Sequence, residues 1–91
     1  MDDRTTPGPI EITGLVVHAA PGRGAAVAAA LERIAGVVLH ASSPEGKLVV
    51  TTEAPDEAGS IALFERIRLL EGVSSVAMAY HQIENEPDQE A

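Results

Sequence analysis

Three histidines are the side chains of this sequence best suited to chemistry near neutral pH, where an imidazole binds metals and exchanges protons. His18, His40 and His81 each fall near the end of a predicted β-strand. A metal site requires converging ligands and partners that orient them, and no cysteine or acidic residue stands at ligand spacing beside these histidines. We therefore predict no metal and no cofactor, and we expect the histidines to support the fold or to contact a partner.

The hydroxyl groups and the glycine-rich turn of the chain form no catalytic motif. Ser42-Ser43 and Ser74-Ser75 fall in turn and strand-start contexts, and nothing in the sequence links them to a base and an orienting acid. The turn Pro21-Gly22-Arg23-Gly24 precedes a predicted helix, whose first amide groups could bind an anion. It lacks the lysine and the following Ser or Thr of a phosphate-binding loop, so an ordinary strand-to-helix turn is the alternative. We predict no catalytic residue and no enzymatic activity.

The charge of the chain limits the kind of partner it can bind. Its 91 residues allow one domain with a single modest core, and their formal net charge is -8. Phosphate binding needs a basic patch and base stacking needs aromatic rings, of which the chain has one Tyr and one Phe. We therefore expect no nucleic-acid partner. An acidic surface favours a cationic partner, or it serves solubility alone.

Cysteine usage and the start of the chain bear on its compartment. The absence of cysteine excludes disulfide bonds and thiolate metal sites. No segment is long and apolar enough to predict a membrane span. The segment Met1 to Pro9 has neither a basic start nor an apolar run, so it does not resemble a secretory signal. We predict a cytoplasmic protein without a membrane span.

Hydrophobic periodicity predicts four strands and two helices. Runs rich in β-branched residues and bounded by turns predict strands at 10–19, 37–42, 47–53 and 72–83. Apolar residues at helical spacing predict helices at 23–35 and from 54 to a stop at Gly72. The turn Ser43-Pro44-Glu45-Gly46 joins the second and third strands as a hairpin.

The order of these elements predicts an α+β fold. Two strand-helix-strand halves joined by a hairpin give the split βαβ, or ferredoxin-like, arrangement βαββαβ. Right-handed crossovers place both helices on one face of a four-stranded antiparallel sheet, with the last strand at an edge beside the first. We predict a single domain at 10–84, a disordered leader at 1–9 and an acidic disordered tail at 85–91.

The alternation of side chains along each strand predicts which residues face the helices. The residues expected to face the helices are Leu15, Val17, Leu39, Leu48, Val50, Val76, Met78 and Tyr80. We call the opposite face of the sheet the open face. The residues expected there are Ile12, Gly14, Val16, His18, Val38, His40, Val49, Thr51, Ala77, Ala79 and His81. Gly14 indicates either a close approach by another group or a local bulge.

Several strings within this order of elements resemble the NapD family. They are Leu15-Val16-Val17-His18-Ala19, Glu45-Gly46-Lys47-Leu48-Val49-Val50, Leu70-Glu71-Gly72-Val73 and Ala79-Tyr80-His81-Gln82. The resemblance covers about Ile10 to Glu84, and the segment from Gly72-Val73 to Tyr80-His81-Gln82 is its most specific part. It implies a small cytoplasmic chaperone with the ferredoxin-like fold, without catalytic residues, that takes part in the maturation of periplasmic nitrate reductase.

The resemblance also implies a partner. Members of the family bind the twin-arginine signal peptide of the nitrate reductase catalytic subunit on the sheet side, and hold this precursor back from the Tat translocase until its cofactors are inserted. The open face suits the apolar stretch of such a peptide, and acidic groups at its margin suit the two arginines. The predicted peptide-binding residues are Ile12, Gly14, Val16, His18, Val49, Thr51, Ala77, Ala79 and His81, with the acidic candidates Glu11, Glu53 and Glu84.

Two alternatives remain open at the level of the sequence. Each of the three acidic candidates is also explained as solvated surface charge. The same fold serves small-molecule-sensing and regulatory domains, which are usually dimers, and fold alone does not choose between the two functions. For the chaperone we expect a monomer or a weak dimer.

Overall fold

The computed structural model describes residues 9–84. The predicted leader, apart from Pro9, and the predicted tail at 85–91 lie outside the described residues. The elements are β1 (Ile10–Ala19), α1 (Gly24–Glu32), β2 (Val37–Ser42), β3 (Lys47–Ala54), α2 (Glu57–Arg68) and β4 (Val73–Glu84). The strands form one antiparallel sheet in the order β2-β3-β1-β4. The predicted ferredoxin-like fold is confirmed, with β4 at an edge beside β1.

Helix α1 forms where a run of alanines meets a stripe of larger apolar residues. Alanine has the highest helix propensity, and Val27 and Leu31 bury the stripe completely against the sheet. The helix ends at Glu32, earlier than predicted, because the amide of Ile34 donates to the carbonyl of Leu31 at 3.1 Å in a tighter turn. Gly36, with φ of 88°, then turns the chain into β2.

Helix α2 begins at a side-chain cap. The Asp56 carboxylate Oδ1 accepts a hydrogen bond of 2.8 Å from the amide of Gly59 and so pairs a donor that the helix leaves unsatisfied. The predicted start at residue 54 was too early because Ala54 is the last residue of β3. Within the described residues, neither helix is long and apolar enough to cross a membrane.

The core lies between the two helices and one face of the central strands. Its fully buried apolar side chains are Leu15 and Val17 of β1, Leu48 and Val50 of β3, Val27 and Leu31 of α1, and Ile67 of α2. Val16 and Val49 alternate with these strand residues and remain partly exposed on the opposite side. This is the open face, and its predicted parity is confirmed for β1 and β3.

The edge strand β4 contains a β-bulge that reverses the faces of its second half. Leu15 pairs with Met78 but the preceding Gly14 pairs with Tyr80, so Ala79 is an extra residue on β4. One extra residue moves every later side chain to the other face. Tyr80 therefore lies on the open face and His81 on the helix side. Our predictions for both side chains were wrong, because period-two alternation cannot reveal a bulge.

Candidate functional site

The centre of the open face is formed by Gly14 and Tyr80. The ring of Tyr80 lies so close to Gly14 that a Cβ atom at this position would overlap it. The aromatic ring thus covers a glycine that has no side chain of its own to pack. Tyr80 remains 48% exposed, so the ring is presented to solvent at the same time. Both explanations offered for Gly14 apply, since the ring approaches it closely and the bulge lies on the partner strand.

An apolar row crosses the sheet next to this centre. Ala77 pairs with Val16, Val16 pairs with Val49, and Val49 pairs with Ala41 of the other edge strand. Directly paired residues of antiparallel strands share a face, so the row spans all four strands. Both alanines and Val49 are exposed, and Val38 beside them is 47% exposed. A contiguous apolar surface of this kind is typical of an interaction site.

The depression at the centre of the open face is small. Its volume is about 230 Å³, and its lining includes Val16, Ala79, Tyr80 and His40. His40 Nε2 lies 2.8 Å from the hydroxyl of Thr51, which fixes this imidazole on the open face. Pockets for small molecules usually measure about 300 to 1,000 Å³. The surface is therefore suited to an extended partner more than to an enclosed small ligand.

The two ends of the open face carry opposite charges. Glu53 pairs with Ile12, and Glu84 pairs with Ile10, which places both carboxylates at one end of the face. At the other end His18 pairs with Lys47 of β3. An elongated cationic group would be attracted to the first end and repelled from the second.

Glu11 and His81 lie on the helix side of the sheet, away from the other predicted site residues. The Glu11 carboxylate accepts a hydrogen bond of 3.2 Å from the hydroxyl of Ser60 on α2, and its Oε1 lies 3.1 Å from His81 Nε2. Glu11 is 9% exposed. The predicted placement of both residues on or beside the open face is wrong. For His81 the cause is the bulge at Ala79, and for Glu11 it is the alternation along β1, which turns it to the side of Leu15.

The remaining predicted residues do share the open face. They are Ile12, Gly14, Val16, His18, Val49, Thr51, Ala77, Ala79, Glu53 and Glu84. Sequence reasoning missed Tyr80, the exposed aromatic side chain whose ring covers Gly14. The one signal that could have found it is Gly14, because a glycine inside a strand is often covered by an aromatic ring of the neighbouring strand.

The serines next to the strands serve local structure. Ser43 Oγ accepts a hydrogen bond of 3.1 Å from the Lys47 amide across the hairpin turn. Ser74 Oγ donates to the carbonyl oxygen of His18 at 3.0 Å. Between residues 9 and 84, no three His, Asp or Glu side chains group closely enough to hold a metal ion.

Fold and surface together define a class: a small ferredoxin-like domain whose sheet leaves one face open, apolar at its centre and acidic at one end. The chain belongs to the NapD family, since the sequence model of that family, described as NapD protein, matches residues 10–85. The resemblance predicted from the sequence is confirmed.

Relatives of this chain include proteins of Escherichia coli and Shigella flexneri. The chaperone NapD of Escherichia coli K12 is 32% identical over 80 residues, which cover 87% of this chain and 92% of that protein. The chaperone NapD of Shigella flexneri shows the same identity and coverage. The solution structure of the E. coli Tat proofreading chaperone protein NapD matches with a TM-score of 0.74 at 34% identity, over 80% of this chain and 78% of that one.

Proposed function

We propose that this protein is a cytoplasmic chaperone that binds the twin-arginine signal peptide of the periplasmic nitrate reductase catalytic subunit on its open face. Bound there, the peptide is withheld from the Tat translocase until the cofactors of the enzyme are inserted. Family membership supports this function, since a solved relative is described as a Tat proofreading chaperone. The observation that carries the proposal is the apolar open face with an acidic end.

The charged and apolar parts of the proposed peptide follow each other in the same order as the acidic end and the apolar row of the open face. A twin-arginine signal peptide has its two arginines before an apolar stretch. The carboxylates of Glu53 and Glu84 are suited to an arginine, because guanidinium and carboxylate groups form charge-assisted, bidentate hydrogen bonds. The apolar stretch then lies over the row from Ala77 to Val49, where small alanines let a helix approach closely. Lys47 at the far end disfavours the reversed orientation.

Calorimetric titration with a synthetic signal peptide tests the proposal. We expect saturable binding that becomes at least about tenfold weaker when both arginines are replaced by glutamines, since a hydrogen bond to a charged group contributes about 1.5–3 kcal/mol. The double variant Glu53→Gln/Glu84→Gln should reproduce part of this loss. Glu32→Gln, on an exposed position of α1, is the matched control and should bind as the wild type does. Equal binding of the arginine and glutamine peptides would contradict the proposal.

A further inference from the structure

A second surface lies on the other side of β4, where α2 does not extend over the edge strand. It is a groove of about 200 Å³ between α2 and β4. Its apolar walls are Ile61, Phe64 and Met78, of which Ile61 and Met78 are 56% and 58% exposed. Helical spacing had placed Ile61 and Phe64 in the apolar stripe of α2, and alternation had placed Met78 on the helix side of the sheet. The groove exists because only the beginning of β4, up to Val76, packs against the core.

The inner part of the groove holds a buried hydroxyl group that lacks a partner. Thr13 lines the groove, is 5% exposed, and its Oγ1 makes no hydrogen bond within the part of the chain that the structure describes. Leaving a buried polar atom unpaired is costly, and such atoms are uncommon in native structures. A ligand that offers a hydrogen-bond donor at the bottom of the groove would remove this cost.

Carboxylate groups stand beside the same space. Glu57 lines the groove from the exposed first turn of α2. Glu11 is outside the lining but contacts two of its members, Ser60 and His81, and both contacts use the oxygen Oε1. A carboxylate accepts hydrogen bonds at both oxygens, so Glu11 retains capacity for another donor.

Among the described residues, the groove lining carries no permanently charged cation, neither lysine nor arginine, and its one imidazole, His81, contacts Glu11. The Arg68 guanidinium is 2.7 Å from Glu65, and this hydrogen bond lowers the pKa of the Glu65 carboxyl. Arg23 is 3.2 Å from Glu71. The groove therefore favours a cationic ligand with an apolar stem.

An arginine side chain has this chemistry. Its methylene stem packs along apolar surface while its head group stays polar, and the guanidinium offers five N–H donors. These donors suit the Thr13 hydroxyl together with the Glu57 carboxylate, both in the lining of the groove. An aliphatic side chain would leave Thr13 unpaired, and an acidic one would be repelled by Glu57. The volume of the groove is below that of small-molecule pockets, so it suits one side chain.

The position of the groove connects it with the open face. Thr13 and His81 line the groove and pair with each other between β1 and β4. The neighbouring pair of the same two strands is Ile12 with Gln82, at the acidic end of the open face. Near the C-terminal end of β4, the groove thus lies on the helix side of the sheet and the acidic end formed by Glu53 and Glu84 lies on the open face. A peptide whose apolar stretch lies on the open face brings its arginines to this edge.

We propose that the groove between α2 and β4 holds one arginine of the bound signal peptide, while the acids of the open face hold the other. This assignment rests on the proposed function and adds a second, separate contact to it. The two arginines then make unequal contributions, because one is enclosed between Ile61, Met78 and Thr13 and the other is bound at the open end of the sheet.

A double-mutant cycle tests this division. Binding of the wild type and of Glu57→Gln is measured with the twin-arginine peptide and with two peptides in which each arginine in turn is glutamine. We expect Glu57→Gln to weaken binding of the twin-arginine peptide about two- to fivefold, as the loss of one exposed charge pair predicts. The weakening should vanish with one of the two singly substituted peptides and persist with the other. Glu32→Gln is the matched control. An effect of the same size with all three peptides, or no effect, would overturn the proposal.

A side-chain mimic tests the groove without the peptide. The probe is N-acetyl-arginine amide, added to the isotope-labelled full chain while its backbone amide resonances are recorded by NMR. We expect saturable shifts at Thr13, Ser60 and His81 that are reduced in Thr13→Val and in Glu57→Gln, and much smaller shifts with N-acetyl-norleucine amide. Thr13→Val keeps the size of the side chain and removes only the hydroxyl, and its folding is checked by the dispersion of the spectrum.

The two experiments separate failure of the groove from failure of the proposed function. If the peptide binds and the groove resonances respond neither to it nor to the arginine amide, the chaperone function stands and the groove assignment is wrong. If no peptide binds, the proposed function is wrong, and the arginine amide still decides whether the groove takes a guanidinium group. Shifts that are equal for the arginine and norleucine amides also overturn the assignment.

Discussion

At the scale of single residues, two buried threonine hydroxyls without hydrogen bonds differ in their surroundings. Thr13 and Thr52 both have Oγ1 atoms without a hydrogen bond among the described residues. Thr13 lines the α2–β4 groove, whereas Thr52, its pairing partner on β3, is 1% exposed within the core. The proposed guanidinium would recover the cost of the unpaired hydroxyl at Thr13, whereas at Thr52 the cost is permanent.

This difference predicts that Thr52→Val stabilises the protein. Valine has nearly the same shape and carries no hydroxyl to desolvate, so we expect the free energy of unfolding to rise by about 1 kcal/mol. Urea denaturation followed by circular dichroism measures the change. Thr51→Val is the matched control on the opposite face, where the hydroxyl contacts His40, and it should give no gain. A loss of stability in Thr52→Val would show that its hydroxyl has a partner.

At the scale of secondary-structure elements, the bulge in β4 determines what the open face presents. Without the bulge at Ala79, in regular alternation along β4, Tyr80 would face the helices and His81 would occupy the open face. With it, the ring covers Gly14, and His81 reaches Glu11 beside α2. Bulges commonly redirect side chains near functional sites. The same irregularity therefore shapes both the open face and the α2–β4 groove.

The arrangement of β4 predicts that Ala79→Glu impairs peptide binding without unfolding the domain. The new carboxylate would stand in the apolar part of the open face and would have to be desolvated by the peptide, so we expect at least about tenfold weaker binding. Because Ala79 is exposed, the thermal midpoint should stay within the small range typical of surface substitutions.

Calorimetric titration and a thermal melt of the same preparation measure both quantities. Ala29→Glu, at an exposed position of α1, is the matched control and should change neither. Loss of the cooperative melt in Ala79→Glu would mean that Ala79 faces the helices. Gly14→Leu should also weaken binding, because it displaces the Tyr80 ring from the centre of the open face.

At the scale of the whole molecule, charge governs how a partner arrives. The formal net charge of -8 attracts a cationic peptide segment over distances of about one Debye length and opposes association of two copies of the chain. That repulsion supports the expectation of a monomer or weak dimer, which stays a prediction. Light scattering after size-exclusion chromatography measures the state directly.

Electrostatic attraction predicts a strong effect of salt on peptide association. The association rate constant for the twin-arginine peptide should fall severalfold between about 50 mM and about 500 mM NaCl, because added ions screen the attraction. The peptide with glutamines should respond much less. Stopped-flow fluorescence with a labelled peptide measures both rate constants. A salt response of equal size in the two peptides would contradict steering by the arginines.

The sequence by itself determined the order of elements, the antiparallel sheet, the family and most of the open face. These features follow from local signals that act within a few residues: turn glycines, helical spacing of apolar residues and strict alternation along β1 and β3. Where alternation continues unbroken, as from Leu15 to Val17, each side chain has only one face available.

Only the tertiary structure decided the positions of Tyr80 and His81 and the existence of the α2–β4 groove. A bulge is a property of two paired strands, since the extra residue is defined only by what stands opposite it. The groove depends on how far α2 covers β4, which is set by packing between elements distant in sequence. For that reason apolar residues such as Ile61 and Met78 looked like core in the sequence, yet they line an exposed surface in the fold.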